Sequence, residues 1–204
     1  MSDPLTTRPA LAGIAIPGRY GAETTSPGVM LRERTGLGIA AVMARRGKAE
    51  ALRAAAEAAY GIAPPDAPRH VAGSEIAFIG TGPEQWLAVS SALGDGRLAV
   101  DLAARLTGLA SISDQGDGRA VIRIAGPKAR ETLAKGLPID LHAAVFTPGS
   151  AATSVISLMG VTLWQVDATP TYDLMVFRSL AGSFWAWLTH SAGEFGYDIA
   201  PAAG

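Results

Sequence analysis

Cysteine is absent from the 204 residues, which excludes a thiolate nucleophile, a disulfide framework and an iron–sulfur cluster. Only three histidines are present, and without cysteine a zinc site is confined to mixed histidine and carboxylate ligands. Charge is sparse and balanced: 17 Lys+Arg against 18 Asp+Glu give a net charge of −1. A nucleic-acid binder needs a one-sided basic surface to neutralise phosphates, and with aromatics at 6% there is little on which bases could stack. No nucleic acid is expected as a partner. No run approaches the ~18 consecutive apolar residues of a membrane span. The opening MSDPLTTRPALAGIAIPG lacks the basic n-region and apolar core of a signal peptide. The expectation is a soluble, cytoplasmic chain with no membrane partner.

The length allows one large domain or two small fused ones, burying roughly 70% of the unfolded surface without help from a metal or disulfide. Hydrophobic residues make up 49% and charged residues 17%, against a usual ~25% charged. A folded monomer of this mass exposes about 9,000 Å², so the low charge points to surface covered by another chain. The alternative is that alanine and glycine inflate the apolar count. The basic residues are 14 Arg to 3 Lys. That bias suits an interface, where guanidinium pairs with carboxylate at low desolvation cost, and equally fits a biased codon composition.

Residues 1–30 are rich in Pro, Gly, Ser and Thr and have no sustained period, so alone they bury too little to fold. Leu11, Ile14, Ile16 and Tyr20 favour an extended arm lying on a partner over a solvent tail. Order is expected from Leu31. Residues 34–44 read as a strand, and 47–60 as a helix built from strong helix formers and closed by Gly61. EIAFIG (75–80) and QWLAVS (85–90) read as a hairpin. Residues 97–107 place Leu98, Leu102 and Leu106 on one helix face, and 109–114 closes a βαββαβ set, the ferredoxin-like order.

A second set follows. RAVIRIA (119–125) alternates, with Ala120, Ile122 and Ile124 on one face and Arg119 and Arg123 on the other. Gly126-Pro127 opens a short helix that ends at Lys135 and Gly136. Strands are expected at 153–159, 161–167 and 172–178, then a helix over 182–192 and a short strand near 196–199. The run YDLMVFR predicts a strand covered on both faces. The fold class is therefore α+β: two fused ferredoxin-like halves with antiparallel sheets, over 31–115 and 116–204, after the arm 1–30.

Motifs of chemistry are few. Gly80-Thr81-Gly82 starts a GxGxxG pattern but leads into a strand, not a helix that could hold pyrophosphate, so it reads as a hairpin loop. Gly47-Lys48 fails as a P-loop, with Val42 at the first glycine position and Ala49 at the Ser/Thr position. His70, His142 and His190 are far apart in sequence, and Asp114 and Asp117 suit a turn. In the last helix Trp185 and Trp187 lie ~200° apart at ~100° per residue. Two apolar faces imply a core face and a second face meeting a partner or the arm. Trp185, Trp187, Ile14, Ile16 and Tyr20 are the candidate partner contacts; no catalytic, cofactor-binding or metal residue is assigned.

DQGDGRAVIRIAGPKARETLAKGLPIDLHAAVFTPGSAATS (114–154), GPEQWLAVS (82–90), DLMVFRSLAGSFWAWLTHSAGEFG (173–196) and the opening 11–47 together resemble the gamma subunit of heterotetrameric sarcosine oxidase, with AGPKARETLAKGLPIDLH the most specific run. The resemblance implies a fold like the folate-binding module of aminomethyltransferases. It also implies assembly with alpha, beta and delta subunits, in which FAD, FMN, NAD, tetrahydrofolate and zinc belong to the other chains. Such complexes demethylate sarcosine oxidatively to glycine, giving hydrogen peroxide and a one-carbon unit. A non-catalytic, stabilising subunit is the resulting expectation. The alternatives are a subunit of a related N-methyl amino acid dehydrogenase, a compact folate-dependent transferase, and a stand-alone folate or small-molecule binding module. Fold alone does not decide among them.

Overall fold

The computed structural model describes residues 8–94 and 96–203; the first seven residues of the arm lie outside them. The first part contains β1 (Gly18–Tyr20), β2 (Val29–Arg34), β3 (Gly38–Ala44), α1 (Ala49–Tyr60), β4 (His70–Ala72), β5 (Ala77–Gly82), β6 (Gln85–Ser90), α2 (Arg97–Arg105) and β7 (Ala110–Asp114). The second contains β8 (Arg119–Ala125), α3 (Ala129–Ala134), β9 (Ala151–Ile156), β10 (Met159–Asp167), β11 (Thr171–Phe177), α4 (Ala181–Ala192) and β12 (Tyr197–Ile199). The fold is α+β, with one five-stranded and one seven-stranded sheet.

Local chemistry accounts for most of these elements. The alanine-rich run after Lys48 forms α1, and Gly61, left-handed at φ 73°, closes it by donating its N–H to the Glu57 carbonyl. Leu98, Leu102 and Leu106 are buried on one face of α2 and its terminus. The Tyr60 hydroxyl donates to Asp101 Oδ2 at 2.8 Å, joining the end of α1 to α2. The small sheet runs β4-β5-β6-β3-β7, antiparallel throughout. Its even-numbered β3 residues Ala40 and Val42 pack under α1 and α2 with Leu52, Phe78 and Trp86.

The large sheet runs β1-β12-β2-β8-β11-β10-β9. Ile122, Ile124 and Leu174 point from its outer face into a core shared with Leu133, Phe184 and Leu188 of α3 and α4. The two inner faces meet through Leu37, Ile39, Ile79 and Leu87 of the small sheet and Val121, Trp164 and Met175 of the large one. Four layers result, helix–sheet–sheet–helix, and β11 is covered on both faces as its sequence predicts.

Two expectations are corrected. The large sheet is mixed, not antiparallel, because β12 runs parallel to β2. The strand expected over 34–44 begins only at Gly38, as β3; Arg34 belongs to the unforeseen β2, which pairs with β8 and places Leu31 opposite Ile124. Val29, Leu31 and Glu33 alternate inward, a short period-2 pattern hidden behind a Pro/Gly-rich stretch. The chain crosses to the small sheet only at Thr35–Leu37, where Gly36 takes φ 70°.

The described part of the arm is not simply extended. Residues 9–14 form a turn whose Leu11 is 1% exposed and enters the helix-side core of the large sheet. The buried Glu33 carboxylate accepts the Ala10 N–H at 2.7 Å and the Leu11 N–H at 3.1 Å. Two otherwise orphaned donors are thereby satisfied. β1 then forms the outermost strand, antiparallel to β12.

Candidate functional site

Fixing Leu11 and β1 leaves Ile14 and Ile16 between them, and Tyr20 at the end of β1, standing out from the surface. Ile14 is 49% exposed, Ile16 53% and Tyr20 38%. Tyr20 stacks on Tyr197 with centroids 5.6 Å apart, and its hydroxyl donates to the Ile16 carbonyl at 3.1 Å. The patch is therefore held in shape by the chain itself. Beside it, β1 ends the sheet among the described residues, presenting unpaired N–H and C=O groups that invite another strand. Three of the five sequence-predicted contacts thus gather in one place: Ile14, Ile16 and Tyr20.

The two tryptophans do not join them as exposed contacts. Trp185 is 4% exposed within the core of the large sheet. Trp187 is half-buried: it lies over Gly136 at the end of α3 and packs against Phe184 with centroids 5.8 Å apart. α3 takes Trp187, and Ile14 of the arm reaches Gly182 on α4. Both apolar faces of α4 are covered by the chain's own elements, because α3 and the N-terminal turn pack beside the helix as well as beneath it. The sequence periodicity showed that two faces needed cover; it held no information about which segments supply it.

A charged cluster lies between the sheets. Asp173, in the middle of β11, is 1% exposed at its side chain. It accepts Arg123 Nε at 2.7 Å and Arg123 Nη2 at 2.8 Å, and Arg34 Nη1 at 3.1 Å. Register places it: Asp173 stands opposite Arg123 on β8 and Trp164 on β10. The bidentate contact raises the pKa of Arg123, its hydrogen bonds to Asp173 outweighing burial. Sequence reasoning put Arg123 on the non-core face of β8 and missed its partner. The available signal was a lone carboxylate in the otherwise apolar run YDLMVF.

His70 adjoins this cluster, stacked on Trp164 with centroids 5.7 Å apart. Burial holds its pKa below the ordinary 6.5, against a smaller upward pull from Asp173. A depressed pKa makes the folded state resist protonation, so His70 contributes stability above pH 6.5 that is lost as pH falls below it. His70→Phe keeps the stacking and removes this dependence. Melting of both proteins at pH 7.5 and 5.5 should show the wild type losing more stability on acidification. A constant gap between them would contradict the assignment.

The remaining candidates have local roles. The His142 N–H donates to Asp140 Oδ1 at 2.8 Å, while its Nδ1 accepts the Ala144 N–H. His190 is exposed on the last turn of α4. Asp114 Oδ1 accepts the Gly116 N–H at 3.1 Å, the turn role expected of it. Gly80 is not itself the loop tip. A Cβ there would stand 2.3 Å from the Ala67 carbonyl oxygen, so glycine lets the 67–69 segment cross β5. Among the described residues no group of three or more His, Asp or Glu is placed to hold a metal ion, and no helix is long and apolar enough to cross a membrane.

A family model described as sarcosine oxidase, gamma subunit family, matches residues 46–194. A sarcosine oxidase subunit gamma from Arthrobacter sp is 32% identical over 157 residues, covering 74% of this chain and 74% of that protein. The subunit gamma from Corynebacterium sp. (strain P-1) is 30% identical over 128 residues, covering 61% and 62%. Among solved structures, the heterotetrameric sarcosine oxidase from Corynebacterium sp. U-96 in complex with pyrrole 2-carboxylate contains a similar chain. It superposes with a TM-score of 0.78 at 26% identity, covering 93% of this chain and 96% of that one. The glycine cleavage system aminomethyltransferase T from Bartonella henselae superposes with a TM-score of 0.61 at 12% identity, over 87% of this chain and 48% of that one. That second likeness is one of fold.

Proposed function

Because the chain belongs to the sarcosine oxidase gamma subunit family, we propose that it is the non-catalytic gamma subunit of a heterotetrameric sarcosine oxidase. In this reading it stabilises a complex with alpha, beta and delta subunits that demethylates sarcosine oxidatively to glycine. FAD, FMN, NAD, tetrahydrofolate and zinc are assigned to those other subunits. The observation that carries the proposal is the near end-to-end match with a chain of such an assembly, 93% of this chain against 96% of that one. A partial match would have left room for a different architecture around a shared module.

The same reading treats the chain as two ferredoxin-like halves behind an N-terminal arm. The small sheet supports it: with α1 between β3 and β5 and α2 between β6 and β7, its order β5-β6-β3-β7 is the ferredoxin-like one. In the large sheet β10-β11-β8 repeats the arrangement, with β2 beside β8. The halves are then 31–115 and 116–204 in sequence, with β2 lent by the first to the sheet of the second.

The arm's patch is assigned to partner contact. Affinity purification of the chain from its host should bring down larger chains with flavin absorbance and sarcosine-dependent oxygen uptake; a colourless single chain would overturn the proposal. Ile16→Asp combined with Tyr20→Asp should cut the recovered partners at least about tenfold, since aromatic anchors dominate interfaces. Stability should fall by only about 1–2 kcal/mol, since Ile16 is an exposed site and Tyr20 loses one stacked aromatic pair. Full recovery of partners by this variant would place the contact elsewhere.

A further inference from the structure

The space between the sheets is not filled evenly. Where Ile39, Trp164 and Met175 face each other the interior is packed. Further along the same strands the inward residues shrink, to Ala41 on β3 and to Thr162 and Gly160 on β10. A cleft of about 500 Å³ opens there, bordered also by Met43, Phe177 and Arg119. That volume lies within the range of small-ligand sites, which combine apolar walls with a few fixed polar groups.

Arg119 is the one charged side chain lining it. Its guanidinium lies over the Phe177 ring, 4.0 Å from the centroid, which fixes the plane of the fork. Among the described residues it forms no ion pair, and its Nε is buried with no hydrogen-bond partner. Arg123, four residues further along β8 on the same face, has a carboxylate partner. Arg119 does not, although burial is already depressing its pKa. A partly buried guanidinium without a counter-ion is costly, and an anion held in the cleft by its remaining N–H groups would supply one.

We propose that this cleft binds a small organic carboxylate with an apolar body: the carboxylate is forked by Arg119, and the body lies between the sheets against Met43, Ala41 and Phe177. A planar two-oxygen acceptor matches the guanidinium fork better than a point anion does, and the predominantly apolar walls, with a few hydroxyls such as Thr153 and Thr162, favour an acid with an apolar body. The site is independent of the proposed subunit role.

Titration with 3-phenylpropionate tests this, with the neutral 3-phenylpropanol as control, followed by the ¹³C-methyl resonances of the five methionines of the full chain. The carboxylate should shift Met43 while leaving Met30, on β2, in place, and should bind at least about tenfold more tightly than the alcohol, as expected of a hydrogen-bonded charge. Arg119→Gln should abolish that preference. Gly160→Phe provides a second variant: a Cβ at Gly160 meets nothing within 4 Å, so the ring occupies the cleft while the fold and Arg119 remain. It should abolish binding of both probes without lowering the melting temperature. Equal binding of the two probes, no binding of either, or an unaltered titration by Arg119→Gln would each overturn the proposal. So would an Arg119→Gln variant that strips partner chains from the complex yet keeps the titration, since the cleft would then be a protein contact.

Discussion

Replacing Asp173 by alanine is expected to lower stability by about 3 kcal/mol, a loss characteristic of removing one partner from a buried ion cluster. At this chain length that is a fall in melting temperature of roughly 6–12 °C. The reason is what the substitution leaves behind. Arg123 and Arg34 would face each other between the sheets without the carboxylate that separates them. The low end of the usual range applies because both guanidiniums reach solvent, at 32% and 19% exposure. Replacing the whole cluster, with Arg34→Met and Arg123→Met alongside Asp173→Leu, should recover most of the loss, since apolar groups of similar volume can substitute for buried charges. Thermal melts of the three proteins decide the matter. An Asp173→Ala protein that melts like the wild type would mean that water, not the carboxylate, solvates the two arginines.

Trp185→Asp should abolish folding of the isolated chain. Truncating a buried tryptophan costs about 3–5 kcal/mol through lost transfer energy and a residual cavity, and aspartate adds a carboxylate to an apolar core. The sum is comparable with the whole stability of a typical domain, about 5–15 kcal/mol. Trp187→Asp should be milder, because its ring is half-buried over Gly136 and keeps a route to water. Circular dichroism and amide-proton dispersion of the two variants test this ordering. A folded Trp185→Asp chain that had lost only its partners would restore Trp185 as an interface residue and contradict its burial here.

Much of the molecule was legible in the sequence, for reasons that are local. α1 follows from strong helix formers and the Gly61 cap, and α2 from its leucine spacing. β8 follows from alternation broken only at Val121, and β11 from an apolar run too long for one covered face. The short β1, β2 and β4 escaped because each lies in or just after a Pro/Gly-rich stretch that reads as loop. β2 is the consequential miss, since its inward Glu33 holds the N-terminal turn and its Arg34 completes the cluster at Asp173.

The candidate sites divide in the same way. Ile14, Ile16 and Tyr20 could be singled out because a Pro/Gly-rich segment has no other use for large apolar side chains. The two-faced character of α4 was visible from the angle between its tryptophans. What covers those faces was not, since it depends on where α3 and the residue 9–14 turn come to rest. The sequence alone determined the absence of thiol chemistry, the α+β class, most strand and helix positions and the family. Only the tertiary structure decided that β2 joins the large sheet, that Asp173 meets two arginines from other strands, and that small residues leave a cleft beside an unpaired Arg119. Those outcomes depend on contacts between residues as many as 139 positions apart in the chain. Periodicity and propensity report on neighbours within a few turns or a single strand, and pairing between distant segments is set by how whole faces fit together.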